Sequence, residues 1–336
     1  MKPKILVTRR IPPPGIEMLQ EVCDVEVRER PQPPNVEELA RRIRDFDGLL
    51  CLLTDTVDAQ VLDAAPHLRV ISSYSVGYDH IDVAAATRKG VYVTYTPGVL
   101  TETTADLAWS LLLCSARRVV EADNYVRRGV WAIGWSPDLL LGADVYGKTL
   151  GIVGLGRIGQ AVAARAVGFN MRVLYQDVVR ASPQVEEKYK LRYASLDELL
   201  SESDFISLHI PLSKDSFHLI NEERLKLMKP NAILINTSRG AVIDQKALAK
   251  ALQERRIAAA ALDVFEKEPI DKSDPLLRMN NVVLLPHLGS ATREARSRMA
   301  QLAASNLLSV LKGEIPPHLV NPEVQQNRPL ASVKMI

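Results

Sequence analysis

Short apolar runs rich in Val, Ile and Leu recur along the chain and alternate with longer amphipathic stretches. In the first hundred residues Lys4–Thr8, Gly48–Leu52, Arg69–Ser73 and Val91–Tyr95 read as strands, with helices over Val36–Arg44 and Asp58–Ala64 between them. Near-continuous apolar strands belong to parallel sheets covered by helices on both faces. The clusters Pro12–Pro14 and Pro31–Pro34 read as loops. From Thr104 the helical spacing of Leu107, Ala108, Leu111 and Leu112 predicts one buried helix reaching about Arg128. The stretch Gly129–Gly147, with Trp131, Trp135, Pro137 and Gly142, then reads as a loop long enough to be functional or interfacial.

Six further strands follow: Leu150–Val153, Arg172–Tyr175, Phe205–His209, Ala232–Asn236, Ala259–Asp263 and Val282–Leu285. Helical segments near Ile158–Ala166, Leu196–Leu200, Glu222–Met228 and Gln245–Gln253 occupy the gaps, as right-handed crossovers require. Strands and crossovers in this number predict a doubly wound, dinucleotide-binding type of α/β domain. The helix Thr292–Lys312 has no partner strand in that unit and is expected to return to the first one. The tail after Asn321 reads as weakly ordered.

Composition narrows the picture without changing it. A chain of 336 residues predicts two domains, and 47% hydrophobic against 24% charged residues excludes disorder. The 42 basic and 40 acidic residues are interspersed, so no basic stripe for nucleic acid is formed. The start of the chain lacks the pattern of an export signal, and the longest apolar run, Leu107–Cys114, is too short to span a bilayer. Cys23, Cys51 and Cys114 lie far apart in apolar contexts, which fits reduced core thiols in a cytoplasmic protein. No metal site is expected, because the histidines are scattered and no HExxH or Cys/His cluster occurs.

Two sets of residues carry chemistry. Gly154-Leu155-Gly156-Arg157-Ile158-Gly159 follows an apolar strand and opens a helix. This is the context in which such glycines allow a tight turn, the approach of backbone amides to a pyrophosphate and close helix packing. Asp177 lies eighteen residues past Gly159 at the end of the next strand, where a carboxylate bonds the adenine ribose hydroxyls and repels a 2'-phosphate. NAD is therefore expected, with NADP possible because Arg180 is near. The second set, Arg239, Glu268 and His287, lies at or just beyond the carboxyl ends of consecutive strands, the edge at which open α/β sheets bind ligands. A guanidinium can grip a carboxylate and a carboxylate-paired imidazole can donate a proton, which suits reduction of a 2-keto acid.

These segments, together with Ser75-Val76-Gly77-Tyr78-Asp79, Thr103-Thr104-Ala105-Asp106, Asn236-Thr237-Ser238-Arg239-Gly240, Asp263-Val264-Phe265 with Glu268-Pro269, and Pro286-His287-Leu288-Gly289-Ser290, resemble the D-isomer-specific 2-hydroxyacid dehydrogenase family, closest to its glyoxylate and hydroxypyruvate reductases. The resemblance covers nearly the whole chain. It implies a Rossmann domain over residues 100–287 inserted into a flavodoxin-like substrate domain made of residues 1–99 and 288–322, with a tail at 323–336. It implies that the Val76 and Gly77 amides hold the substrate carboxylate, that Arg239 binds carboxylate and carbonyl, that His287 is the proton donor and that Glu268 orients it. Thr104, Pro211, Thr237, Asp263 and Gly289 are implied on the cofactor side, and Leu53, with Tyr74 and Trp135, in shaping the pocket. Residues from Thr104 to about Gly147 resemble a dimerisation arm, which implies a homodimer in which Trp135 anchors the interface or reaches the partner's site.

Departures sharpen the expectation. Asp106 stands where the family usually has Glu, Val76 where phosphite oxidisers have a lysine, and Glu268 where formate dehydrogenases have an amide. The chain also stops short of a C-terminal regulatory domain. Glyoxylate or hydroxypyruvate reduction is the expected activity, with D-lactate-type or broader 2-keto acid reduction as the alternative. A dinucleotide-regulated corepressor-like scaffold is the alternative of a different class.

Overall fold

The computed structural model describes residues 2–336 and divides into two compact units, Met1–Leu100 with Ala291–Ile336, and Thr101–Ser290. The first unit holds a sheet of five parallel strands, β1 (Lys4–Val7), β2 (Asp24–Val27), β3 (Gly48–Cys51), β4 (Val70–Ser73) and β5 (Tyr92–Thr94), in the order β2-β1-β3-β4-β5. That order is the flavodoxin-like one. Every residue of β3, β4 and β5 is buried, as expected for strands sandwiched between helical layers. The helix Arg293–Leu311 packs against the helix Pro13–Val22 and against β4, where the Ser72 hydroxyl donates to the Ala303 carbonyl at 2.8 Å.

Three expectations fail here for identifiable reasons. Pro13 does not sit in a loop but opens the helix Pro13–Val22, because a proline in the first turn gives up an N–H that has no helical partner anyway. β2 was not foreseen, since as an edge strand its residues are exposed or half-buried and its sequence DVEV carries two acidic groups. The tail is ordered. Val324 and Val333 are fully buried in two short helices, Val324–Asn327 and Leu330–Val333. The Arg328 guanidinium donates to the Leu68 carbonyl and the Tyr92 hydroxyl to the Arg328 carbonyl. Buried Asn321 completes the seam, its side chain accepting from the Val93 amide and donating to the Val91 carbonyl.

The second unit holds seven parallel strands: β6 (Thr149–Val153), β7 (Arg172–Gln176), β8 (Leu191–Tyr193), β9 (Phe205–Leu208), β10 (Ile233–Asn236), β11 (Ala259–Leu262) and β12 (Val282–Leu284). Their order is β12-β11-β10-β9-β6-β7-β8, which is the doubly wound dinucleotide-binding arrangement plus one strand. The strand order reverses between β6 and β9, so their carboxyl ends form the crevice in which such sheets bind ligands. β8 makes the count seven where six strands were expected. It is a short edge strand with exposed Arg192 and Tyr193, and so lacks the apolar run by which the others are recognised.

The long helix expected from Thr104 to about Arg128 is two helices, Thr101–Ala116 and Val119–Arg127. Arg118 between them adopts a left-handed φ of 52°, and the Ala116 carbonyl accepts from the Ala143 amide instead of continuing the helix. The returning chain at Gly142 passes so close that a Cβ there would lie 2.3 Å from the same carbonyl oxygen. The helix Thr101–Ala116 is anchored by the Trp109 indole, which donates to the Val162 carbonyl and stacks on Phe169 at 4.6 Å. Among the described residues no helix is long and apolar enough to cross a membrane.

Candidate active site

The glycine turn sits where β6 passes into the helix Arg157–Gly168. Gly154 adopts φ 93°, open to residues without a side chain, and a Cβ on Gly159 would lie 2.1 Å from the Gly154 carbonyl oxygen, so the helix can approach the strand only with glycine there. Gly156 differs: a Cβ there would meet nothing within 4 Å, so its backbone faces open space. Leu155 is buried and Ile158 packs against the core, so their side chains serve the fold and only their backbone is available to a ligand, while the Arg157 side chain is exposed.

The Asp177 carboxylate accepts from the Leu155 amide at 2.7 Å and thereby ties the end of β7 to the turn. Arg180 is engaged elsewhere. It grips Glu186 through two nitrogens at 2.8 and 3.0 Å and stacks on the Tyr193 ring. On the other side of the crevice, the Thr237 hydroxyl is buried with no hydrogen-bond partner among the described residues. The Pro211 carbonyl accepts from Ser216 Oγ at 2.7 Å, which holds the loop after β9. An open glycine cradle at a helix N-terminus, a carboxylate at the end of the next strand and an orphaned buried hydroxyl fit a dinucleotide.

The proton-handling groups lie beyond β10, β11 and β12. His287 Nδ1 is 2.7 Å from Glu268 Oε2, and Glu268 Oε1 accepts from the Phe265 amide at 3.1 Å. Burial pushes the Glu268 carboxyl up, but its bonds to His287 and Phe265 and the charge of Arg239 outweigh that and leave it below the ordinary glutamate range. With Nδ1 held by Glu268, Nε2 is the ring atom that can face a substrate. The Glu268–Pro269 peptide bond is cis.

His287 occupies a left-handed φ of 55°, a conformation that a non-glycine residue keeps only when its surroundings impose it. Asp263 imposes it. Its carbonyl accepts from the His287 amide at 2.9 Å, and its two carboxylate oxygens accept from Leu288 N at 2.6 Å and Gly289 N at 2.8 Å. Thr104 Oγ1 donates to the Gly289 carbonyl at 2.9 Å and closes the turn. Asp263, Thr104 and Gly289, which the resemblance implies on the cofactor side, form the frame of the histidine turn. Arg239 is placed by Asn236, whose amide donates to the Arg239 carbonyl at 2.9 Å, and by Gly240. A Cβ on Gly240 would lie 1.8 Å from the Phe265 carbonyl carbon.

In the first unit, Ser75 Oγ donates to the Gly77 carbonyl at 2.6 Å, and the Ser73 hydroxyl lies 2.6 Å from that of Ser75, shaping the Val76–Gly77 turn from beneath. Leu53 lies in a turn held by Asp55, which accepts from the Leu52 amide at 2.7 Å. Asp106 pairs with Arg165 at 2.6 Å. Cys23 and Cys51 are not suited to nucleophilic chemistry: burial pushes the Cys23 thiol up to about 11 and the fully buried Cys51 thiol well above its ordinary value.

One constellation was not foreseen. His218, Asp244 and Glu266 each offer a ligand atom within 4.8 Å of the others. Their separations in sequence, 26 and 22 residues, follow no ligand-spacing pattern; the bridge Ile220–Ile243 brings His218 to Asp244, and the bonds between Gln245 and Glu266 bring in the third.

Comparison with known proteins identifies the family. Residues 109–289 match the family model described as D-isomer specific 2-hydroxyacid dehydrogenase, NAD binding domain. The chain is 56% identical to the glyoxylate reductase of Korarchaeum cryptofilum, over 98% of this chain and 99% of that one. It is also 56% identical to that of Thermofilum pendens, over 100% and 99%. Among solved structures, the NADPH-dependent glyoxylate/hydroxypyruvate reductase of Sinorhizobium meliloti, in complex with NADP and malonate, superposes with a TM-score of 0.85 at 32% identity, covering 96% of this chain and 98% of that one.

Proposed function

Because the chain belongs to the D-isomer-specific 2-hydroxyacid dehydrogenase family, we propose that it reduces a small 2-keto acid, glyoxylate or hydroxypyruvate, to the D-2-hydroxy acid with NADH as the preferred reductant. The observation that carries this reading is the Glu268–His287 pair on a turn braced by Asp263. Bound NADH supplies the hydride that reduces the carbonyl carbon. His287, with Nδ1 held by Glu268, donates a proton from Nε2 to the carbonyl oxygen. Arg239 holds the carboxylate and polarises the carbonyl, and the family resemblance adds the Val76 and Gly77 amides of the first unit as carboxylate donors. Thr104, Pro211, Thr237, Asp263 and Gly289 border the nicotinamide end, and residues 154–159 hold the pyrophosphate. Leu53 lines the substrate pocket.

NADH is preferred over NADPH because Asp177 stands at the ribose position and Arg180 is committed to Glu186, so neither welcomes a 2'-phosphate. A homodimer follows from the segment 119–146, where Trp131, Ile133, Trp135, Leu141 and Tyr146 are each more than half exposed, a concentration of apolar surface that favours burial against a second copy. A cytoplasmic setting fits the three free cysteines.

The test is a panel of glyoxylate, hydroxypyruvate and pyruvate with NADH and with NADPH, followed by nicotinamide absorbance. Fastest turnover of glyoxylate or hydroxypyruvate with NADH is the expected result. Preference for pyruvate would move the substrate to the D-lactate type, and dinucleotide binding with no turnover of any keto acid would replace the enzyme by a scaffold.

A further inference from the structure

We propose that His218, Asp244 and Glu266 form a binding site for one divalent transition-metal ion, separate from the Arg239, Glu268 and His287 centre. His218 Nε2 is sealed from solvent and makes no hydrogen bond among the described residues, although Glu266 Oε1 lies only 2.9 Å away. A misaligned N···O contact of that length is poor as a hydrogen bond and good as the edge of a coordination polyhedron. Two metal bonds of ~2.1 Å meeting at about a right angle subtend about 3.0 Å. All three ligand atoms lie within 4.8 Å of one another, close to the span of such a polyhedron.

Each ligand is held by its own backbone. His218 donates its amide to the Ala241 carbonyl at 2.8 Å, sits at φ 50° and stacks its ring on Phe217. Asp244 donates its amide to Ile220 and spends Oδ1 on the Ala247 amide at the start of the helix Gln245–Gln253, which leaves Oδ2 for a ligand. Glu266 is locked to Gln245 by reciprocal bonds, Gln245 N to Glu266 Oε1 at 2.9 Å and Glu266 N to Gln245 Oε1 at 3.1 Å. Two carboxylates balance a divalent charge, and the imidazole nitrogen selects zinc, cobalt or nickel over magnesium and calcium. The ion ties three loops together, and one of them carries Glu268 two residues further on.

The test is calorimetric titration of the chelator-treated full chain with Zn²⁺ and with Mg²⁺, with Co²⁺ absorption to report a nitrogen ligand. Wild type is expected to bind one Zn²⁺ at micromolar or tighter affinity and Mg²⁺ at least a hundredfold more weakly. His218→Ala and Glu266→Gln should each weaken Zn²⁺ at least tenfold, while His67→Ala, at an exposed histidine, changes nothing. Glu266→Gln keeps an oxygen for the Gln245 amide, so its fold should survive; its thermal midpoint checks this. Zn²⁺ binding that is absent in wild type, undiminished in both site variants or lost with His67 overturns the proposal and leaves a His218–Glu266 ion pair.

Discussion

Replacing Asp263 by asparagine keeps the volume of the side chain and removes half of what it does. Its carboxylate accepts from two backbone amides, Leu288 N at 2.6 Å and Gly289 N at 2.8 Å, in a fully buried position. An asparagine can accept from one of them, and its own NH2 then faces the other N–H. A hydrogen bond to a charged acceptor contributes about 1.5–3 kcal/mol, and a buried donor left without an acceptor costs about 1–3 kcal/mol. Against this stands the cost of burying the charge, which pushes the Asp263 carboxyl above the ordinary aspartate range despite the two amides. The net loss is about 2 kcal/mol, which for a unit of this size lowers Tm by roughly 4–8 °C. Because the loss falls on the turn that holds His287 in its left-handed conformation, kcat should fall at least tenfold. Differential scanning calorimetry and steady-state kinetics measure both. A variant with wild-type kcat and an unchanged or higher Tm would refute the assignment of Asp263 as the brace of the histidine turn.

Other substitutions separate the remaining parts. Gly156→Ala places a methyl in the open cradle, so NADH Kd should rise at least tenfold with Tm unchanged, as read by fluorescence titration and a melting curve. Gly240→Ala drives a methyl into the Phe265 backbone and should lower stability by about 1–3 kcal/mol in urea unfolding. Glu268 has its carboxyl held below the ordinary range, so its contribution to stability is present above that range and is lost as pH falls through the depressed value. The Tm difference between wild type and Glu268→Gln should therefore close on acidification from neutral pH, and a gap independent of pH would contradict it. If the exposed apolar segment is the dimer interface, wild type should run as a dimer in light scattering and the double variant Ile133→Glu, Leu141→Glu as a monomer.

What was legible in the sequence and what was not divide along physical lines. Buried central strands such as β3, β9 and β10 announce themselves because both faces must be apolar, and their bounds shift by only a residue. Polar edge strands do not: β2 and β8 have exposed positions and are recognised only by their neighbours, whereas the apolar edges β5 and β12 are read from the sequence. The break at Arg118 depends on a contact between Ala116 and Ala143 that no local pattern encodes. At the site, strand-end placement identified Glu268 and His287 as neighbours, because parallel strands bring their carboxyl ends to one edge. The use of both Asp263 oxygens on backbone amides, and the meeting of His218 with Asp244 and Glu266, arise from loop folding and leave no periodic trace.

The account rests on His287 as the proton donor in keto-acid reduction, and single-turnover oxidation of bound NADH by saturating glyoxylate, in wild type and His287→Ala, tests it most directly. Loss of a positioned general acid slows such a step by about 10²–10⁴-fold, so the variant should bind NADH as wild type does and transfer hydride at least a hundredfold more slowly. Hydride transfer at the wild-type rate in His287→Ala would contradict the mechanism.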